Sequence, residues 1–122
     1  MAASNAEATK KVLLVDDDPQ ILGLRAEILH LQGYEVQTAG SLDQARAAWQ
    51  PAKYSLIVVD LRGQVQAAME FCEEIKREHP DQLVAFLTAP MTYVPSNSCP
   101  DDVIPKERGP AEFVERVQAL LA

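Results

Sequence analysis

A chain of 122 residues holds one domain with a real hydrophobic core and is short for two. Its 48% hydrophobic and 24% charged residues are ordinary for a soluble globular domain, and no apolar run is long enough to cross a bilayer. A formal net charge of −7 argues against direct contact with nucleic acid or an anionic membrane, since both recruit basic surface.

Met1 to Thr9 is small and polar, without the apolar centre of a signal peptide, and is expected to be a flexible leader over residues 1–9 ahead of one domain over residues 10–122. Lys11-Val12-Leu13-Leu14-Val15 is β-prone and apolar from Val12 onward, the pattern of a strand buried on both faces. It stops at Asp16-Asp17-Asp18. Asp18 is placed to cap a helix that begins at Pro19, with Ile21, Leu24, Ile28 and Leu31 as its apolar stripe and Gly33 as its stop. Tyr34 to Ala39 reads as a second strand. Ser41-Leu42-Asp43-Gln44 matches a capping box for a helix that runs to about Gln50 and ends before Pro51. Trp49 at its end is expected in the core.

Ser55 to Asp60 is a third strand, apolar from Leu56 through Val59. Ala67 to Glu78 reads as a helix with Met69, Cys72 and Ile75 on its packed side. Gln82 to Leu87 is a fourth strand, and it ends at Thr88. Between Ala89 and Asp101 stand Pro90, Pro95 and Pro100, which argue against a helix of useful length. Val103-Ile104 is a short fifth strand. Gly109-Pro110 opens a last helix that buries Phe113, Val117 and Leu120. Cys72 and Cys99 lack metal-ligand spacing and are read as two idle thiols in preference to a disulfide. Strand–helix alternation of this kind implies an α/β layered fold: a flavodoxin-like, doubly wound, five-stranded parallel sheet in the order 2-1-3-4-5, with the helix between strands four and five missing or degenerate.

Ligands of such sheets sit beyond the carboxyl ends of the strands. Strand one ends at Asp16 and Asp17, strand three at Asp60, strand four at Thr88, and Lys106 follows strand five. Strands one and three are neighbours in this order, so three carboxylates converge. Two such charges about 5 Å apart repel by roughly 3 kcal/mol at an effective dielectric near 20. That cluster calls for a cation or a raised pKa, and all-oxygen ligands favour Mg²⁺. A carboxylate beside a divalent ion can attack phosphorus, while a hydroxyl at Thr88 and an ammonium at Lys106 bind the other phosphoryl oxygens.

These segments, Val12 to Asp18, Leu56 to Asp60, Phe86 to Ala89 and Val103 to Lys106, resemble the receiver domains of two-component response regulators, CheY-like in fold, from Lys10 to about Leu121. The resemblance implies that Asp60 is the phosphorylated aspartate and that Asp16, Asp17 and Asp60, with the backbone carbonyl of Arg62, hold Mg²⁺. It implies that Thr88 is the switch hydroxyl and Lys106 its charge partner. It also implies a cytoplasmic protein that receives its phosphoryl group from a sensor histidine kinase or a phosphotransfer protein. The chain would then be a phosphoacceptor without enzymatic turnover beyond its own transfer and dephosphorylation. No effector domain is expected after Leu121 unless the chain is a trimmed piece, so output is expected through contact with a downstream protein, with a homodimer as a further option.

The chain departs from the family's pattern in three places. The Met-Pro and later Gly after the phosphoacceptor are replaced by Leu61 to Ala68, so Mg²⁺ affinity or dephosphorylation is expected to differ. Thr88 and Lys106 are only 18 positions apart, which leaves no room for the usual helix. The position of a rotating aromatic holds Val103, with Tyr93 as its alternative, and the usual Lys-Pro is reversed as Pro105-Lys106. Two other readings stand beside the switch. One is a receiver used as a phosphorylation-independent docking or dimerisation module. The other takes Asp16-x-Asp18 as the nucleophile motif of a haloacid-dehalogenase-like phosphatase, which leaves Asp60 without a role. His30 and His79 lie away from the strand ends and are expected to take no part.

Overall fold

The computed structural model describes residues 9–122; the rest of the expected leader lies outside them. Five strands, β1 (Lys11–Val15), β2 (Glu35–Ala39), β3 (Leu56–Asp60), β4 (Leu83–Thr88) and β5 (Asp102–Pro105), form one parallel sheet in the order β2-β1-β3-β4-β5. Four helices connect or follow them: α1 (Pro19–Leu31), α2 (Leu42–Ala48), α3 (Val65–Glu78) and α4 (Gly109–Leu121). The doubly wound order expected from the alternation is the order observed.

Period-two alternation divides each inner strand between two cores. Leu13, Val15, Ile57, Val59, Val84 and Phe86 pack under α2 and α3 with Phe71 and Trp49. Val12, Leu14, Leu56, Val58, Ala85 and Leu87 pack under α1 and α4 with Leu29, Phe113 and Val117. Burial on both faces is what makes these strands read as continuous apolar runs. Gln82 is a buried polar exception with every role filled. Its side-chain oxygen accepts from Trp49 Nε1 at 2.8 Å, and its amide donates to the carbonyls of Tyr54 and Leu83.

Helix ends follow local chemistry. Asp18 accepts from the N–H groups of Gln20 and Ile21, and Pro19 supplies the first turn. At the far end the Gly33 N–H donates to His30 and the Tyr34 N–H to Leu29, with Gly33 at φ +96°, a left-handed stop that suits glycine. Ser41 caps α2 by accepting from Gln44 N, while the Gln44 side chain reaches back to Gly40 N rather than to Ser41.

Two expected faces need correction. On α1 the buried residues are Leu22 and Leu29, whereas Leu24 and Leu31 are 59% and 73% exposed. The inward stripe runs 22–25–29 and contains Arg25, while of the expected stripe 21–24–28–31 only Ile21 and Ile28 are half-buried, Ile28 against the core. On α4 the inward residue is Leu121, with Leu120 only partly buried.

From Ala89 to Asp101 the chain makes turns and no helix, as its prolines require. All described peptide bonds are trans, Pro105 included. Cys72 and Cys99 are not idle thiols: they form a disulfide with a Cα–Cα distance of 6.2 Å. The reading as free thiols failed because Cys72 faces inward from α3 and the helix-free loop brings Cys99 back beside it, a proximity no local spacing encodes.

β5 is held to α4 by a forked ion pair. Arg116 donates to both Asp102 oxygens, at 2.9 and 2.7 Å, and to the Val103 carbonyl. The Arg116 hydrogen bonds outweigh burial and hold the Asp102 carboxyl below its ordinary 3.8. A carboxyl depressed in the folded state adds stability above its unfolded pKa and loses it as pH falls through the folded value. Arg116→Gln is therefore expected to lower the urea midpoint at pH 7 and to flatten the fall below about pH 4. Parallel midpoints for variant and wild type across that range would count against the pair.

Candidate functional site

Asp16 follows β1 and donates its N–H to the Ala39 carbonyl at 3.1 Å, which fixes it at the sheet's carboxyl edge. Asp60 closes β3 with its side chain fully buried. Lys106 follows β5 in a short 3₁₀ turn, Lys106–Arg108, and its Nζ donates to Asp60 Oδ1 at 2.9 Å. Thr88, buried at the end of β4, lies opposite Pro105 and is not among the groups hydrogen-bonded to Asp60. Asp17 points outward with its side chain 59% exposed. Asp16, Asp17, Asp60 and Lys106 thus meet at one corner, with Thr88 on the adjoining strand end.

Arg25, which sequence reasoning did not place, and the side chain of Arg62 complete this corner. Arg25, from the middle of α1, donates through Nη1 to Asp60 Oδ2 at 2.7 Å and to Asp16 Oδ2 at 3.0 Å. Arg62 was expected to contribute its backbone carbonyl; in addition, its side chain reaches the carboxylates. Its Nε donates to Asp16 Oδ1 at 2.7 Å and stands 3.2 Å from Asp17 Oδ1. The signal for Arg25 was present: a lone cation three residues after Leu22 and four before Leu29, on the helix that starts at the acidic cluster.

The backbone positions Arg62. The Gln64 N–H donates to the Leu61 carbonyl at 2.7 Å across a turn whose central residues, Arg62 and Gly63, have φ of +44° and +77°. A left-handed arginine costs about 1–2 kcal/mol, which its ion pairs with Asp16 and Asp17 offset. Burial would raise the Asp16 carboxyl, yet hydrogen bonds from Arg62 and the Asp18 N–H, with the charges of Arg62 and Arg25, hold it below the ordinary range. Arg62 is raised in turn, chiefly by its hydrogen bond to Asp16.

Three carboxylates thus face three cations, and the repulsion expected among the acids is met by side chains of the chain itself. The donor chemistry, carboxylate oxygen throughout, is of the kind Mg²⁺ takes. The arrangement is not yet a metal cage: among the described residues no group of three or more His, Cys, Asp or Glu is disposed to hold an ion. A small pocket of about 30 Å³, room for roughly two waters, lies beside Asp16, Asp17 and Asp60, and Arg62 is part of its lining.

A doubly wound sheet with this corner defines a class, and residues 12–118 match the model of the response regulator receiver domain; the chain belongs to that family, the receiver domains of two-component systems. Among curated proteins it is 34% identical over 107 residues to the nitrogen assimilation regulatory protein NtrX of Azorhizobium caulinodans, covering 86% of this chain and 22% of NtrX. It is 32% identical over 115 residues to the transcriptional regulatory protein ResD of Bacillus subtilis, covering 91% of this chain and 48% of ResD. The chain therefore spans about a fifth of one relative and about half of the other. Among solved structures, response regulator TrrA of Thermotoga maritima, in complex with Mg(2+)-BeF, superposes with a TM-score of 0.80 at 30% identity, covering 93% of this chain and all of that one. No described helix is long and apolar enough to cross a membrane.

Proposed function

We propose that this receiver domain is a phosphoacceptor switch that takes a phosphoryl group onto Asp60. The observation that carries the reading is the Asp60 carboxylate itself: buried at the end of β3, with Lys106 on one oxygen and Arg25 on the other. In the transfer an Asp60 oxygen forms a bond to phosphorus as the bond from phosphorus to the donor's imidazole nitrogen breaks, and that nitrogen keeps the electron pair and takes a proton. Lys106 and the hydroxyl of Thr88 then serve the oxygens of the transferred group. Asp16, Asp17, Asp60 and the Arg62 carbonyl would hold Mg²⁺, which when bound neutralises charge on the incoming group and fixes its approach.

The donor is a sensor histidine kinase or phosphotransfer protein in the cytoplasm. A groove of roughly 190 Å³ beside the site, lined by Ile21, Leu24, Ile28 and Phe113, offers apolar surface for it. Output passes to a downstream protein, or to a second copy of the chain, without direct contact to nucleic acid. Phosphorylation shifts the population of conformers that such partners read. The receiver domain spans residues 10–122 in this reading. One observation favours the docking module as a second reading: Arg25 and Arg62 already satisfy the carboxylates, as in a site that never changes state.

Intact mass after incubation with acetyl phosphate separates the two. A gain of one phosphoryl group that requires Mg²⁺ is the expected result. An unchanged mass for a folded chain that binds Mg²⁺ would sink the switch and leave the docking module.

A further inference from the structure

We propose that Arg25 is a resident counter-ion that holds the acidic corner closed and must be displaced before a divalent cation can bind there, a proposal that rests on the reading of Asp16, Asp17 and Asp60 given above. Arg25 Nη1 is the one group among the described residues bonded to both buried carboxylates. With Arg62 on Asp16 Oδ1 and Lys106 on Asp60 Oδ1, all four oxygens of the two acids are engaged. An incoming cation needs direct oxygen ligands and gains little from a carboxylate whose lone pairs are turned to a guanidinium.

The contact is also sheltered. The Arg25 side chain is only 17% exposed, against 1% and 0% for its two acids, so the ion pairs act at lower dielectric than surface pairs. Arg62, at 32% exposed and on a turn, is the more solvent-accessible of the two guanidinium groups. Arg25 is rooted in α1 between buried Leu22 and Leu29, which keeps its stem in place. Arg25 also lines the groove between α1 and α4, where Leu24 and Lys106 border open space that can take its guanidinium. Moving Arg25 away frees Asp60 Oδ2 and removes one of the two guanidinium groups on Asp16, Arg62 being the other, and Arg25 thus tunes the cation affinity although it is no ligand.

The experiment is calorimetric titration of Mg²⁺ into the 122-residue chain as wild type, Arg25→Leu and Arg25→Lys. Arg25→Leu is expected to bind Mg²⁺ about tenfold tighter, a modest share of what a unit charge at contact distance is worth, while Arg25→Lys stays close to wild type. Equal, weaker or undetectable binding by folded Arg25→Leu overturns the proposal. Should that variant not fold, wild-type NMR decides: the Arg25 side-chain Nε–H resonance shifts on saturation with Mg²⁺ if the group is displaced, and an unmoved resonance overturns the idea. Both readouts are independent of phosphorylation. A chain in which Arg25→Leu binds Mg²⁺ tighter but never gains a phosphoryl group loses the switch and keeps the gate, and the converse result loses only the gate.

Discussion

Asp60→Asn is expected to abolish phosphoryl incorporation from acetyl phosphate, a loss of more than about 10³-fold, whereas Asp16→Asn is expected to leave it measurable. Both acids are buried and both touch Arg25, so location alone does not separate them. Their hydrogen bonds do. Asp16 accepts from Arg62 twice, from Arg25 and from the Asp18 N–H, and its carboxyl is held well ionised by that set. It is a group committed to its partners. Among the described residues Asp60 accepts from Arg25 and Lys106 alone, so release of Arg25 frees one oxygen for attack while Lys106 still steadies the other. An amide at position 60 removes the attacking anion and also leaves two cations without it. At position 16 the amide keeps an oxygen for the cation but loses its charge, for a reduction of roughly 10- to 100-fold, comparable to the scale at which a cation site responds to loss of supporting interactions. Intact mass over a time course measures both variants. The reverse pattern, with Asp16 essential and Asp60 dispensable, would instead fit the haloacid-dehalogenase-like reading in which Asp16 attacks.

Reduction of the Cys72–Cys99 disulfide, or Cys99→Ser, is expected to lower the stability of the domain by about 3–4 kcal/mol. The bond joins residues 27 apart, and the chain-entropy model assigns a closed loop of that size about this much. A domain of this kind has only about 5–15 kcal/mol in total, so the urea midpoint should drop visibly on adding a phosphine reductant and Cys99→Ser should no longer respond to it. The effect should be local as well. The enclosed region includes the helix-free loop after Thr88, whose Met91 and Tyr93 are 101% and 78% exposed and supply no packing of their own. Without the bond the loop keeps the partly buried Val94 and the Lys76–Asp101 ion pair as anchors, and limited proteolysis between Thr88 and Asp101 should quicken. A midpoint indifferent to reductant would show that the two sulfurs do not brace the native state. In a reducing compartment the pair stands as two thiols and the loop loses its tether.

Much of this architecture was legible because parallel sheets leave plain marks. Strands buried on both faces are unbroken apolar runs, so β1, β3 and β4 stand out, and Asp16, Asp60 and Thr88 stand out as the polar residues that end them. Helix faces were less legible. On α1 the inward row carries an arginine, and a rule that puts apolar residues inside prefers the row without it. Tyr93, considered as an alternative to a rotating aromatic, is exposed in the loop, and no sequence pattern distinguishes that from packing.

The sequence by itself determined the strand–helix order, the doubly wound sheet, the absence of a helix after Thr88 and the gathering of Asp16, Asp17, Asp60 and Lys106 at one edge. Each follows from local periodicity, proline chemistry or the rule that polar residues close buried strands. Only the tertiary structure decided how the acidic charges are balanced, which side of α1 faces the sheet, and that Cys72 meets Cys99. Those outcomes depend on contacts between residues far apart in the chain: Arg25 with Asp60, Arg62 with Asp16, and a loop with the face of α3. Local propensity carries no term for such pairs. Their energies exist only once packing has brought the groups together and excluded water from between them.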